Sequence, residues 1–306
     1  MDISLLSRMS ADLLIPTDKL DHVINSAPYR YKIYQIPKRS GAGMRTIAQP
    51  AKEVKRIQYW VMKNIFSELE IHANATAYTR GKSIFSNASP HSAHSYLIKV
   101  DFKDFFFSIK GADFIRYSKK YQNYGFSDED INRLVKVLFW SQKRGAELNL
   151  SIGAPSSPLL SNLIMFEFDN IISDFCTSKG ISYTRYSDDI TVSMNDKALR
   201  GYVFERINSE IRNLDSPKLQ LNHNKTVFAS KAHKRFVTGL VITNNAGISL
   251  GRDKKRKIRA QICHYMQGKL SEKERLSLKG MLAFARDVEP EFVSRMEDKY
   301  GKMTIM

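Results

Sequence analysis

Between residues 182 and 194 the chain reads SYTRYSDDITVSM, two runs of β-forming residues that meet at Ser187-Asp188-Asp189. Such runs around a short polar break predict a β-hairpin, whose tip projects from one end of a sheet. A doubled acid at a hairpin tip is in most chains a turn device, because aspartate favours turns. A second segment gives it more weight. SYLIKVDFKDFFFSI, residues 95–109, reads as a buried strand running into a turn or helix, with Asp101 directly after the apolar run. A carboxylate there needs a partner. Acids carried by two adjacent strands could hold hard divalent cations such as Mg²⁺, which favour carboxylate oxygens. Two such ions about 3.5–4 Å apart can stabilise both the attacking and the leaving oxygen of a phosphoryl transfer.

The rest of the chain predicts the frame for these strands. A helix is expected over 12–27 after Pro16 and Thr17, and a β-hairpin from 29–37 and 44–50 around KRSGAG. Residues 51–69 repeat apolar positions every 3.6 residues, as a helix does. Ser127 caps a helix over 127–140 whose first turn is acidic. One long helix is expected over 156–180, with Pro158 near its start and Gly180 at its end. An amphipathic helix over 197–214, a strand over 235–243 and a mostly helical, basic remainder complete the order. Strands and helices mixed in this way imply the α+β class, a sheet with helices packed on one face.

Charge narrows the partner. The 306 residues carry 48 Lys and Arg against 31 Asp and Glu, a net +17. That excess suits a polyanion, because each neutralised phosphate releases condensed counterions; a solvated basic surface is the competing reading. KAHKRF (231–236) and GRDKKRKIR (251–259) concentrate the cations in the last quarter. Other chemistries are excluded by spacing. A phosphate-binding loop ending in Gly81-Lys82-Ser83 needs a glycine at position 76, where Thr76 stands. His91 and His94 lack the glutamate and third ligand of a zinc protease, so satisfied structural histidines are expected there. Only Cys176 and Cys263 are present, far apart, so a reducing cytoplasmic setting is expected rather than a disulfide scaffold. The N-terminus has no basic start with an apolar block, and no run of about 18 apolar residues suggests a membrane span.

The residues also resemble a known family, the reverse transcriptases, over about 29–242. RYSDD (185–189) is similar to the family's Tyr-x-Asp-Asp hairpin and VDFKDFFFSI (100–109) to its first acidic motif. GAPSSPLLSN (153–162) resembles the loop and helix that support template and nucleotide, and LNHNKT (221–226) the lysine motif that follows. NASPH (87–91) and VTG (237–239) resemble two signatures of the retron-encoded members.

The resemblance implies a right-hand polymerase fold with fingers, an antiparallel-sheet palm and a helical thumb. Fingers would occupy 1–95, with an N-terminal helical segment and part of 110–150; the palm 96–240; the basic thumb 241–306. Asp101, Asp188 and Asp189 would be catalytic and would bind two Mg²⁺ ions, or Mn²⁺, with Asp101 and Asp188 the principal ligands. Phe106, five residues beyond Asp101, falls at the steric-gate position that excludes a ribose 2′-hydroxyl; a core aromatic is its alternative reading. Arg45 would grip nucleotide phosphate, and Lys225 would donate a proton to departing pyrophosphate; each is otherwise an ordinary surface charge. Asn87, His91, Val237, Thr238 and Gly239 would lie near the RNA, with helix cap and β-core as competing readings. Lys254, Lys255 and Arg256 would grip structured RNA through its backbone. Ile152 departs from the pattern, standing where the family usually has glutamine before Gly-Ala-Pro. An apolar side chain cannot make an amide's hydrogen bonds, so contacts there are expected to be rearranged.

The function so implied is copying part of a structured non-coding RNA into single-stranded DNA from deoxynucleoside triphosphates. Priming from an RNA 2′-hydroxyl would give a branched RNA–DNA that acts with a separate effector protein in defence against phage. The 67 residues after Gly239 are too few for a nuclease domain of roughly 100 residues, so a host ribonuclease H is expected to remove the RNA. The rivals are a group II intron-like or abortive-infection polymerase, and a non-catalytic RNA-binding scaffold.

Overall fold

A computed structural model describes residues 4–38, 41, 43–121 and 125–301. Arg39, Ser40 and Ala42 of the expected hairpin turn lie outside the described residues, as do 1–3 and 122–124 of the expected fingers and 302–306 of the expected thumb. The fold is α+β, with helices around antiparallel sheets. Strands β1 (Tyr31–Pro37) and β2 (Met44–Pro50) form a two-stranded ribbon in which Ile36 faces Arg45. The central sheet has the order β4-β5-β3-β6, from β3 (Tyr96–Asp101), β4 (Ser182–Tyr186), β5 (Asp189–Met194) and β6 (Val227–Ser230).

Strand alternation sorts the side chains of that sheet. Ile98 and Val100 of β3 join Val192 of β5 in the main core, with Phe168, Ile172, Val203 and Ile207 from the helices Phe166–Thr177 and Leu199–Asn213. Leu97 points the other way. It enters a second core with Ala88, Ala229 and the C-terminal elements. Those elements are a small sheet, β7 (Arg235–Val237), β8 (Leu240–Ile242) and β9 (Ile248–Ser249), and the helices Arg252–Met266, Glu272–Val288 and Pro290–Tyr300.

Three expected elements are corrected. The single helix over 156–180 is two, Ser157–Ile164 and Phe166–Thr177, joined at Met165, whose ψ of 0° departs from helical values. The strand over 235–243 is the β7–β8 hairpin, turning at Thr238 (φ 46°) and Gly239 (φ 81°). Two successive positive φ angles match the twist of a two-residue hairpin. The acidic tip is also two residues long rather than three, because Tyr186 pairs with Asp189, which already belongs to β5. By contrast the cap of the helix Asp128–Leu138 follows its sequence: the Asp130 N–H donates to Ser127 Oγ at 3.1 Å, and the Asp130 carboxylate accepts from the Ser127 N–H.

The ribbon is tied to the central fold by main chain. The Ala48 N–H donates to the Ile152 carbonyl at 2.9 Å, and the neighbouring Gly153 takes a φ of 127°. A Cβ on Gly153 would stand 2.9 Å from the Ala48 carbonyl oxygen. Gly153→Ala is therefore expected to destabilise the protein by about 2–4 kcal/mol, through strain and overpacking together. Gly180→Ala meets no atom within 4 Å and should cost only about 1–2 kcal/mol, for its left-handed backbone. Urea midpoints of the two variants check the difference; equal costs would show that the contact with Ala48 adds nothing.

Candidate active site

Asp101 ends β3 directly across from Asp189 at the start of β5. The Phe102 N–H donates to the Asp188 carbonyl at 3.0 Å, and the Asn222 N–H donates to the Asp101 carbonyl at 2.8 Å, so main chain fixes the acids from both sides. Their strand ends open into a cleft of about 670 Å³. Asp101 and Asp188 line it together with Arg45 of β2, Phe106, Ile152 and Lys225. Asp189 is not among the lining residues; its carboxyl reaches Asp101 from the neighbouring strand. Residues up to 180 positions apart are thus gathered by the end of β3, the acidic tip, the ribbon and the turn His223–Lys225.

The acids strain one another. Burial, then the charges of Asp101 and Asp189, raise the Asp188 pKa to about 6. Asp189 is raised too, mainly by burial, with Lys99 pulling it down and Asp101 pushing it up. Lys225 is the compensating cation. Its Nζ donates to both oxygens of Asp101, at 2.9 and 3.0 Å. Burial would lower its pKa, but Asp101 and the other two acids carry it above the ordinary lysine value. Among the described residues, no three acid, histidine or cysteine side chains stand together as a ready-made metal cluster. The Lys225 ammonium lies beside Asp101, and the acids offer carboxylate oxygens, the donors that hard divalent cations favour.

The tip is held from beneath by a group that sequence reading missed. Arg185, fully buried, donates to Asp169 through Nε at 2.8 Å and Nη2 at 2.6 Å. Its Nη1 donates to Asn162 and, at 3.1 Å, to the Ser187 carbonyl. Tyr183 donates to the same Asp169 at 2.6 Å. Burial opposes the guanidinium charge and Asp169 more than restores it. Ser187 has a φ of 61°, which residues other than glycine seldom adopt, and the Arg185 bond holds its carbonyl in that turn. The available signal was a charge inside each apolar run: Asp169 in FEFDNII and Arg185 in ISYTRY.

The residues assigned to RNA by resemblance do not line the cleft, and several are buried. Asn87, His91 and Val237 are 1%, 0% and 0% exposed and present no surface to a nucleic acid. His91 bridges two palm strands instead, one ring nitrogen 2.7 Å from Ser193 Oγ and the other 2.8 Å from Thr184 Oγ1. Thr238 is half-buried at its turn, and Gly239 is exposed but gives its carbonyl to Lys254 Nζ at 2.8 Å. Lys255 is committed to Glu289 within the fold. Arg256 is 84% exposed and remains an outward-facing cation.

Burial also lowers the His91 pKa to about 3, with His94 adding to the effect. The folded value lies below the unfolded one, so this stabilisation is complete above about pH 6.5 and is lost as pH falls towards 3. Between pH 7 and pH 5 it should cost about 2 kcal/mol. His91→Gln is expected to flatten that part of the stability–pH curve, measured by urea unfolding. An unaltered slope would assign the acid sensitivity elsewhere.

Comparison with known proteins bears on the cleft. A family model described as reverse transcriptase (RNA-dependent DNA polymerase) matches residues 36–245. The chain is 40% identical over 288 residues to the retron Ec83 reverse transcriptase of Escherichia coli, covering 93% of this chain and 92% of that protein. It is 34% identical to the retron Ec73 enzyme of the same organism, covering 90% and 88%. Among solved structures, apo telomerase from Candida tropicalis aligns with a TM-score of 0.51 at 15% identity, over 90% of this chain and 58% of that one. A foamy viral protease-reverse transcriptase aligns at 0.50 and 16%, over 98% and 44%. These two likenesses concern the fold.

Proposed function

The chain belongs to the reverse transcriptase family, with the retron enzymes as its relatives, and on that premise we propose that it copies part of a dedicated structured non-coding RNA into single-stranded DNA. It is an RNA-directed DNA polymerase. Priming from a 2′-hydroxyl of that RNA, giving a branched RNA–DNA, is part of the proposal. The supporting observation is one cleft that gathers Asp101 and Asp188 with Arg45, Phe106 and Lys225.

In this reading Asp101, Asp188 and Asp189 hold two Mg²⁺ or Mn²⁺ ions. Such ions, when bound, supply the Lewis acidity that lowers a hydroxyl's pKa and offsets triphosphate charge. The remaining work falls to side chains of this protein. Arg45 presents a forked guanidinium to nucleotide phosphates. The ring of Phe106 closes the space a ribose 2′-hydroxyl would need. Lys225, 60% exposed, leaves Asp101 and gives a proton to departing pyrophosphate. Arg256 and its basic neighbours hold duplex RNA by its backbone. Fingers, palm and thumb divide near residues 95 and 240. A host ribonuclease H removes the copied RNA, and the product acts with a separate effector in cytoplasmic defence against phage. These last roles rest on the kinship with retron enzymes.

Sequencing the nucleic acid that copurifies with the protein tests the reading. A branched RNA–DNA whose DNA complements a neighbouring transcript is expected; DNA unrelated to any transcript, or RNA alone, overturns it. Asp188→Asn should abolish synthesis while the protein still folds. In the parent Mg²⁺ should raise the melting temperature, and in the variant that rise should shrink. Phe106→Ala should increase ribonucleotide incorporation by about tenfold or more; parental discrimination would remove Phe106 from the sugar contact.

A further inference from the structure

Asn87 and Thr238 lie 151 residues apart in the chain, yet the Asn87 amide donates to Thr238 Oγ1 at 3.3 Å. The Thr238 hydroxyl in turn donates to the Ile84 carbonyl at 3.3 Å. On its other side Asn87 Oδ1 accepts from the Thr76 hydroxyl at 2.7 Å. The Thr76 N–H donates to the Arg185 carbonyl at 2.9 Å, and the Arg185 guanidinium holds the carbonyl of Ser187, next to Asp188. A continuous hydrogen-bonded line therefore runs from the β7–β8 turn to the acidic tip, and the Asn87 side chain joins Thr238 to Thr76 within it.

Asn87 also stands at a seam. Ala88, its neighbour, belongs to the second core, together with Val237 and Leu240 that flank the turn and Ile258 and Ile262 of the basic helix. Thr184, through its hydroxyl, lies 3.4 Å from the Asn87 carbonyl and belongs to the central sheet. The turn cannot shift alone. Its positive φ angles fix its shape, and Lys254 of the basic helix holds the Gly239 carbonyl. Lys254 thus links that helix to the turn that Asn87 holds.

We propose that Asn87 and Thr238 are positioning residues of the polymerase: a side-chain joint that fixes the small sheet and the C-terminal helices against the strand carrying the catalytic tip. They act through the Arg185 backbone and touch neither nucleotide nor RNA. The proposal rests on Asp188 being a metal-binding residue of the reaction.

The test uses the full chain, a DNA primer on an RNA template, and single-nucleotide addition under saturating and limiting deoxynucleotide. Thr238→Ala removes the hydroxyl from a half-buried side chain and Thr238→Ser retains it. Thr238→Ala and Asn87→Ala should each slow addition at saturation about threefold to tenfold, because each breaks the line at the Asn87–Thr238 bond. The Kd values for deoxynucleotide and primer-template should stay within about twofold, and Thr238→Ser should keep the parental rate. The double variant should be no slower than the slower single, because one line is cut twice. A weakened primer-template Kd with a parental rate at saturation would make these residues nucleic-acid contacts and overturn the joint. So would multiplying effects in the double variant, or a Thr238→Ser as slow as Thr238→Ala. Asp188→Asn runs beside them. Synthesis retained there overturns the reading of the tip; synthesis lost there, with Thr238→Ala at the parental rate, overturns the joint alone.

Discussion

The end of the sheet that carries the acids hangs on one buried ion pair, Arg185 with Asp169. Neither side chain has any exposure to solvent. Taking two charges out of water is costly, and the geometry offsets that cost with two direct contacts plus bonds from Tyr183 and to Asn162. Losing either partner would leave the other charged and buried, at about 3–5 kcal/mol. The pair also sets position. Through its guanidinium Arg185 holds the carbonyl of Ser187, and through its backbone it pairs with residues 74–76 beside β4. One residue thereby fixes the acidic tip and the segment that leads to Tyr78, a further wall of the cleft.

Above that anchor the electrostatics reverse. Asp101 presses on both Asp188 and Asp189, and burial and repulsion hold those two acids above their ordinary range while Lys225 and Lys99 offset part of the charge. Such an arrangement works against the fold, and its presence in a cleft is the mark of a site built for binding. The protein answers with Lys225, whose grip on Asp101 offsets charge within the fold itself. The same lysine keeps 60% of its side chain exposed.

Much of this was legible in the sequence, and what was not has a physical reason. The pairing of Asp101 with the acidic tip could be read because a carboxylate ending a buried apolar run needs a partner, and the serine cap at 127 because its geometry is local. The break at Met165 could not, since both halves keep an apolar period and only tertiary packing ends the first helix. Nor could the β7–β8 hairpin, because three-residue strands leave too little pattern to count. Asn87 and His91 were placed near the RNA by resemblance, with helix cap and β-core as the competing readings. They are buried because their partners, Thr76, Thr184, Ser193 and Thr238, come from four separate stretches of chain, and no local pattern announces such a meeting.

Ile152 was expected to mark a rearrangement, since it lacks the amide found there in the wider family. Its structural duty turns out to be discharged by its carbonyl, which receives the Ala48 N–H and ties the ribbon down. A position anchored through atoms common to every amino acid leaves its side chain open to exchange. Evolution can therefore retune the chemistry of the cleft wall at 152 without untying the fold, whereas Gly153, one residue on, has no such freedom.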